Sequence, residues 1–307
     1  MESTFIKTSN ITPFMGTDEQ YHADKSHVSA SGLKKLKISP AHFLDDAETE
    51  ETEASDAMLF GSAYHCLVLQ PELFEKQYYI FDDSVVCGAL IAKGAKSPRA
   101  TNDYKTWKEG EMSFADGKIL LDKADADKLK AMKDRLFNHS YARMLLTGGV
   151  NEQGFMGEIE TEAGYIRVKY KPDHFNEKKK IIVDLKTTKD ASKDGFPKQA
   201  GEFSMHIQAS MYCDLMEKYC NDNRAFTFFF IAQEKKKPYA FNIFECSPQF
   251  ISQGRFEYEM LLQLYKYCSE NNHWPGYQIW CENKYGILEL KLPPWAIKDI
   301  NYFIHKL

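Results

Sequence analysis

No CxxC pair occurs in the 307 residues, although seven cysteines are scattered along them, at Cys66, Cys87, Cys213, Cys220, Cys246, Cys268 and Cys281. An odd count without close pairs is a poor disulfide framework and fits reduced thiols in a cytosol. It also argues against a zinc ribbon or a four-cysteine iron–sulfur site, whose ligands usually come in close pairs. Long hydrophobic runs are missing too. One of the longest, Phe226–Ala232, suits one buried strand and is far too short to span a bilayer. Met1–Asn10 has no apolar stretch of the kind a signal peptide needs. These absences predict a soluble, cytoplasmic protein with no membrane partner.

An excess of basic charge is also lacking. The formal net charge is −5, which argues weakly against a nucleic-acid partner, because phosphate contacts need Lys and Arg. The charge is uneven, however. Asp45–Asp56 is strongly acidic, while lysines cluster at Lys34, Lys35 and Lys37, at Lys178–Lys180 and at Lys235–Lys237. A DNA-binding face can be locally basic on an acidic protein, although solvated faces carry such clusters too.

What is present is enough apolar and aromatic content, 43% and 14%, to fill a sizeable core. The chain reads as one domain over 1–307, with an N-terminal section at 1–57 and a main body at 58–300. Residues 1–28 lack periodicity and read as an arm. Ser29 or Ser31 can cap a helix carrying Leu33 and Leu36, and a second short helix runs from Pro40 to Leu44. The acidic stretch 45–56 reads as an exposed loop. Met58–Leu69 is expected to be a helix stopped by Pro71, and 82–118, with Gly88, Gly94, Pro98 and Gly110, an irregular insertion. Asp122–Phe137 is amphipathic, with Leu129, Met132 and Leu136 on one face. Phe155–Glu160 and Tyr165–Tyr170 form a hairpin around Gly164, and Ile181–Leu185 a short β-branched strand. Helix at Phe203–Tyr219, strands at Ala225–Ala232 and Tyr239–Glu245, helix at Pro248–Asn271 and strand at Gly286–Leu292 complete the expectation. The class is α/β (α+β): a central mixed β-sheet flanked by helices, with an N-terminal helical elaboration.

The chemistry concentrates in Tyr170-Lys171-Pro172-Asp173 and Ile181-Ile182-Val183-Asp184-Leu185-Lys186-Thr187-Thr188. On a strand, residues i and i+2 share a face, so Asp184 and Lys186 emerge together while Leu185 turns into the core. Asp173 comes alongside Asp184 if the two segments pair. Two carboxylates in a polar cleft suit a hard cation such as Mg²⁺, which keeps waters and substrate phosphate oxygens as further ligands. Such an ion activates water and offsets charge at phosphorus, and an adjacent lysine can steady the reacting oxygens. A bare Asp-x-Lys is common on surface hairpins, so this pattern alone leaves nuclease and bystander readings open.

Pro172-Asp173 followed by Asp184-Leu185-Lys186-Thr187-Thr188 resembles the core motif of PD-(D/E)XK nucleases, and its form is similar to RecB- and RecE-type members. Gly61-Ser62-Ala63-Tyr64-His65 resembles the upstream Gly-x-x-x-His motif of those groups, and Gln208-Ala209-Ser210-Met211-Tyr212 their Gln-x-x-x-Tyr motif. Val28–Pro40, His65–Pro71, Trp274–Tyr277 and Leu292–Trp295 are similar to exodeoxyribonuclease VIII (RecE-type) exonucleases in particular. The resemblance implies a PD-(D/E)XK core with Asp173, Asp184 and the Leu185 carbonyl on the metal and Lys186 as catalytic lysine. It also implies His65 at the metal, Gln208 and Tyr212 lining the site, and Glu152 as a further ligand, although the neighbourhood of Glu152 departs from the pattern. Thr187, Thr188, Lys171, Lys34 and Lys35 are the expected DNA contacts.

The activity implied is Mg²⁺-dependent 5′→3′ digestion of double-stranded DNA ends, with Mn²⁺ able to substitute, leaving 3′ single strands for recombination. The implied partners are a single-strand annealing protein and further copies of the chain in a ring, in a bacterial or phage-infected cell. Two alternatives stay open: an inactive DNA-binding or assembly protein on a nuclease fold, and a RecB-like endonuclease.

Overall fold

The structure, a computed structural model, describes residues 5–48, 55–221, 224–280 and 287–296. The supposed N-terminal arm is structured. It carries β1 (Thr8–Ser9), β2 (Thr12–Pro13) and α1 (Asp18–Ala23) before α2 (Ala30–Ile38) and α3 (Pro40–Glu48). The strands are too short to show a period, which is why the sequence pattern hides them. Ser29, rather than Ser31, caps α2 by accepting from the Gly32 N–H. The start of the acidic stretch is helical up to Glu48, not loop; its residues 49–54 lie outside the described residues.

Next come α4 (Asp56–Leu69), α5 (Pro71–Gln77), β3 (Tyr78–Phe81), α6 (Ser84–Ala92), α7 (Asn102–Phe114) and β4 (Ile119–Asp122). The expectation of an irregular 82–118 is therefore wrong. Helix α6 (Ser-Val-Val-Cys-Gly-Ala-Leu-Ile-Ala) is apolar all round, and α7 buries only Tyr104. Neither shows the one-sided stripe by which a helix is recognised. Both lie between the parallel pair β3–β4.

The remainder runs α8 (Lys123–Phe137), α9 (Ser140–Leu145), β5 (Val150–Asn151), β6 (Phe155–Thr161), β7 (Gly164–Tyr170), β8 (His174–Asn176), β9 (Ile181–Thr188), α10 (Gly195–Glu202), α11 (Met205–Cys220), β10 (Thr227–Glu234), β11 (Phe241–Glu245) and α12 (Pro248–Asn271). The predicted strand at Gly286–Leu292 does not form. Ile287–Leu292 are not in a strand, and Leu288, Leu290 and Leu292 are exposed; Gly286 lies outside the described residues.

The central sheet has the order β11-β10-β9-β8-β5. Strands β9 and β10 are parallel and the other pairs antiparallel, so the sheet is mixed. Each face is covered. Ile182, Phe228, Phe230 and Ala232 pack on the side of α11 and α12. Ile181, Val183, Leu185, Phe229 and Ile231 pack on the side of α4 and α8. Strand β9 is thus buried on both faces, as its near-continuous Ile-Ile-Val run demands.

The helical layer is pinned by charge as well as shape. Asp214 of α11 accepts from Arg255 Nε at 2.8 Å and from Tyr258 Oη at 2.5 Å, both on α12. At Gly254 the helices nearly touch: a Cβ there would lie 2.0 Å from the His206 carbonyl oxygen. Lys37 of α2 pairs with Glu257 of α12 at 2.6 Å, fixing α2 against the same layer.

A second sheet is built on β6, with β7 on one edge and β1 and β2 on the other. The chain leaves β2 at Phe14, whose N–H donates to the Gly154 carbonyl at 2.8 Å. It rejoins the sheet at Val28, which bridges to Val168 on the far edge of β7. Residues 15–27 therefore cross from one edge of the β6–β7 hairpin to the other, around the end where Phe155 faces Tyr170.

Candidate active site

Two short connections converge at that end of the hairpin. Glu152 precedes β6, while Lys171 and Asp173 follow β7. Strand β8 pairs with β9 through His174↔Val183, so the next position places Asp173 opposite Asp184. The Leu185 N–H donates to Asp173 Oδ2 at 2.7 Å, which locks that placement. Asp173 is brought in by β8, not by the hairpin strand itself. On its other side β8 pairs with β5, and the ladder runs one step further, with the Glu152 N–H donating to the Asp173 carbonyl at 3.0 Å. Glu152 has φ of +53°, a left-handed conformation that costs a non-glycine residue about 1–2 kcal/mol. Such strain is tolerated where the surrounding structure over-determines it, often at functional sites.

Helix α4 supplies His65 from the opposite layer. Its Nδ1 lies 3.4 Å from Asp173 Oδ2 and 3.9 Å from Glu152 Oε1, and its ring hydrogen-bonds the Leu185 main chain. One ligand atom from each of His65, Glu152 and Asp173 fits within a sphere of 4.8 Å mutual separation. Gly61, one turn earlier, faces Thr187 of β9. A Cβ there would meet only Thr187 Oγ1, at 3.9 Å, so packing does not forbid a side chain.

Asp184 is 1% exposed. Its Oδ1 lies 2.5 Å from Lys186 Nζ, and its Oδ2 accepts from Gln208 Nε2 at 2.6 Å. Tyr212, one turn beyond Gln208 on α11, lines the same cleft.

The electrostatics follow from crowding three carboxylates into a largely buried corner. Burial, and then the Asp184 charge, push the Asp173 carboxyl well above the usual carboxylate range. Burial and the Asp173 charge push Glu152 up to about 7, against the pull of Lys171. Burial works against the Lys186 ammonium, but Asp184 and Asp173 outweigh it and leave its pKa raised. Burial lowers that of His65, keeping its ring neutral and able to ligate. A neutral imidazole among carboxylates that resist ionising side by side is a donor set that a divalent cation fits. The ion would hold His65, Glu152 and Asp173, with the Leu185 main chain and Asp184 beside it.

The expected DNA contacts divide. Thr187 is half-buried and lines the cavity beside Gly61. Thr188 is buried and its hydroxyl donates to Gln199 Oε1 at 2.5 Å, so it braces α10 and does not face a ligand. Lys171 bridges Glu152 and Asp18, each at 2.9 Å, so carboxylates already claim its charge. Lys34 is half-buried near the site; burial, and then the Lys186 charge, bring its pKa down to about 8. Lys35 is exposed and lines neither cavity at the site. Sequence reasoning missed Asp18, His22, Lys25 and Lys169 of the crossing segment and of β7, all of which border the cleft. No signal short of the fold brings the first 28 residues there.

Residues 29–285 match the family described as PDDEXK-like domain of unknown function (DUF3799). The chain belongs to this PDDEXK-like family. The mixed sheet between helical layers is the fold of that family. A crystal structure of a protein from Eubacterium rectale, provisionally named an exonuclease, aligns with TM-score 0.58 at 18% identity. It covers 91% of this chain and 96% of that one, and shows the same fold. Alignment with the structure of SSO0001 reaches a TM-score of only 0.29 at 14% identity. No curated protein matches the chain. No helix among the described residues of this PDDEXK-like chain is long and apolar enough to cross a membrane.

Proposed function

We propose that the protein is a Mg²⁺-dependent DNA exonuclease of the RecE type, digesting duplex ends 5′→3′ and leaving 3′ single strands. The observation that carries the reading is the convergence of Asp173, Asp184 and Lys186 with His65 and Glu152 on one cavity. A bystander hairpin has no reason to bury Asp184 or to raise the pKa of Glu152.

Mg²⁺ held by those residues would supply Lewis-acid chemistry and make a bound water more acidic. The protein's own groups set the geometry. Glu152 and Asp173 are fixed by a shared main-chain hydrogen bond. Gln208 orients Asp184, and Asp184 in turn holds the Lys186 ammonium in its charged form. That ammonium is placed to donate to a non-bridging phosphate oxygen as negative charge accumulates on it. His65, neutral through burial, is free to ligate without displacing a proton.

Digestion from ends for recombination further implies a single-strand annealing partner. A ring of identical chains would gather several modest basic patches around one DNA path, which offsets the net charge of −5. The test is linear duplex labelled at either 5′ or 3′ ends, with Mg²⁺. Early loss of the 5′ label with the 3′ label retained on long strands is expected. Equal cutting of closed-circular duplex would replace the exonuclease with an endonuclease. DNA binding without any cleavage in Mg²⁺ or Mn²⁺ would leave an inactive assembly protein.

A further inference from the structure

The central sheet ends at β11, and among the described residues β10 is its one strand neighbour. The Glu234 N–H donates to the Ala240 carbonyl, and the Cys246 N–H to the Phe228 carbonyl. In an antiparallel ladder such pairs recur at every second residue, so Asn242 and Phe244 also bond inward, opposite Ala232 and Phe230. Phe241, Ile243 and Glu245 then aim their N–H and C=O groups away from the sheet. Such an edge is a template for a further strand, and proteins commonly blunt it with lysine, proline or a bulge. Within β11 (Phe-Asn-Ile-Phe-Glu) none of these devices is present. The same residues wall a groove of about 520 Å³ between β11 and α9. Phe241 and Ile243, both half-buried, line it together with Phe229 and the exposed Tyr141.

The chain carries a segment of matching design. Ile287–Leu292 reads Ile-Leu-Glu-Leu-Lys-Leu, bounded by Gly286 and by Pro293-Pro294. Leu288, Leu290 and Leu292 are 63%, 99% and 69% exposed. Lys291 pairs with Glu289 at 2.9 Å, an i,i+2 contact that puts both on one side, and alternation gives the leucines the other. One apolar and one charged face is the pattern of a strand that packs on a sheet. Its own groove is out of reach, however. Helix α12 starts just after β11, and its 24 residues carry the chain about 36 Å away. There Trp274 stacks on Phe43 at 5.4 Å between ring centres, and Tyr277 packs on His42, which ties the chain to α3. From Tyr277 to Leu288, one 3-10 turn (Tyr277–Trp280) and a fully extended remainder span about 33 Å. That is no more than the length of α12, and the groove lies further on, across the sheet from α12. The segment that fits the groove therefore comes from a second copy.

We infer that Ile287–Leu292 of one copy adds as a strand to the open edge of β11 in another, with its leucines in the groove of Phe229, Phe241, Ile243 and Tyr141. Main-chain bonds to Phe241, Ile243 and Glu245 supply affinity, and the alternating leucines fix the register. Reciprocal exchange closes a dimer, and onward exchange closes a ring. The contact is separate from the cation site and does not depend on the chemistry there.

The experiment is sedimentation velocity of the full chain across micromolar concentrations, with hydrogen exchange on the same samples. Self-association should rise with concentration, and with it the protection of the Ile243, Glu245 and Leu288–Leu292 amides. Leu290→Asp changes the most exposed of the leucines, so the monomer keeps its fold. It should weaken association by about 100-fold or more, because a carboxylate has no partner in an apolar groove. It should also strip the protection from both segments, whereas Leu290→Met should behave as wild type. A chain that stays monomeric throughout would overturn the inference. So would association unchanged in Leu290→Asp. Protection independent of concentration would assign the groove to the chain's own tail and overturn the second copy. DNA and Mg²⁺ are left out, so failure of the nuclease reading alters none of these outcomes.

Discussion

Exchange of Lys186 for methionine is expected to lower Mg²⁺-dependent DNA hydrolysis by about 10²–10³-fold, the usual cost of removing one preorganised donor from a developing charge. Methionine keeps most of the volume and removes the ammonium. The loss should fall on kcat with little change in KM or in DNA binding, because the donor matters most when charge builds on the phosphate. Asp184→Asn should reach at least the same depth, since it weakens the cation site and also releases Lys186 from its 2.5 Å contact. The two exchanges act on one unit, so the double variant should be little worse than the poorer single one. Single-turnover digestion of linear duplex measures all three. Near wild-type rates in the folded Lys186→Met protein would remove the lysine from the mechanism.

Metal-free protein should lose stability as pH rises from about 5.5 to 8.5, the reverse of what paired carboxylates give. The sign follows from Glu152, whose pKa is raised in the fold from an ordinary 4.5 to about 7, and from Asp173, raised by burial and by Asp184. A carboxyl with a raised folded pKa contributes its full stability below the unfolded value and loses that contribution as pH climbs through the folded one. The window is therefore about pH 4.5 to 7 for Glu152, with Asp173 extending it upward. Divalent cation reverses the loss because it binds the ionised form. At about 100-fold excess over its Kd, Mg²⁺ should add about 2.7 kcal/mol, or about 4 °C in Tm, at pH 8.5. At pH 5.5, where protons compete for the same oxygens, the increment should shrink to a small fraction of this. Thermal melts with EDTA or Mg²⁺ at both pH values measure it. Glu152→Gln should flatten the metal-free trend, and an unchanged slope in that variant would show that other groups set it.

The parts of the site that could be read from the sequence are those whose spacing within a single strand or helix sets their direction. Asp184 and Lys186 sit two positions apart after an apolar run, and β-alternation alone sends them the same way with Leu185 opposite. Gln208 and Tyr212 sit one helical turn apart, and His65 lies on a helix with clear limits. Glu152 was hard because β5 is two residues long and the left-handed turn that aims its side chain leaves no mark in composition. Lys171 looked like a DNA contact because its two carboxylate partners arrive from distant parts of the chain. Thr188 looked like a phosphate ligand until α10 folded onto it.

In the fold, the long elements with a period, α8, α11, α12 and the β6–β7 hairpin, were legible from side-chain spacing. Helices α6 and α7 were not, because one is apolar on every side and the other polar on nearly every side. The tail at Ile287–Leu292 erred the other way: alternating leucines suggest a strand, but Leu288, Leu290 and Leu292 are exposed and the segment is not in a strand. The first 28 residues were least legible of all. Their two-residue strands are specified by the β6 edge they bind, not by a pattern of their own.

The measurement that reaches the centre of this account is an anomalous difference map from crystals soaked in Mn²⁺. The account predicts a peak within about 2.0–2.3 Å of oxygen or nitrogen atoms of His65, Glu152 and Asp173, with Lys186 close by but not ligating. A strong peak elsewhere with that corner empty at saturating Mn²⁺ would contradict it.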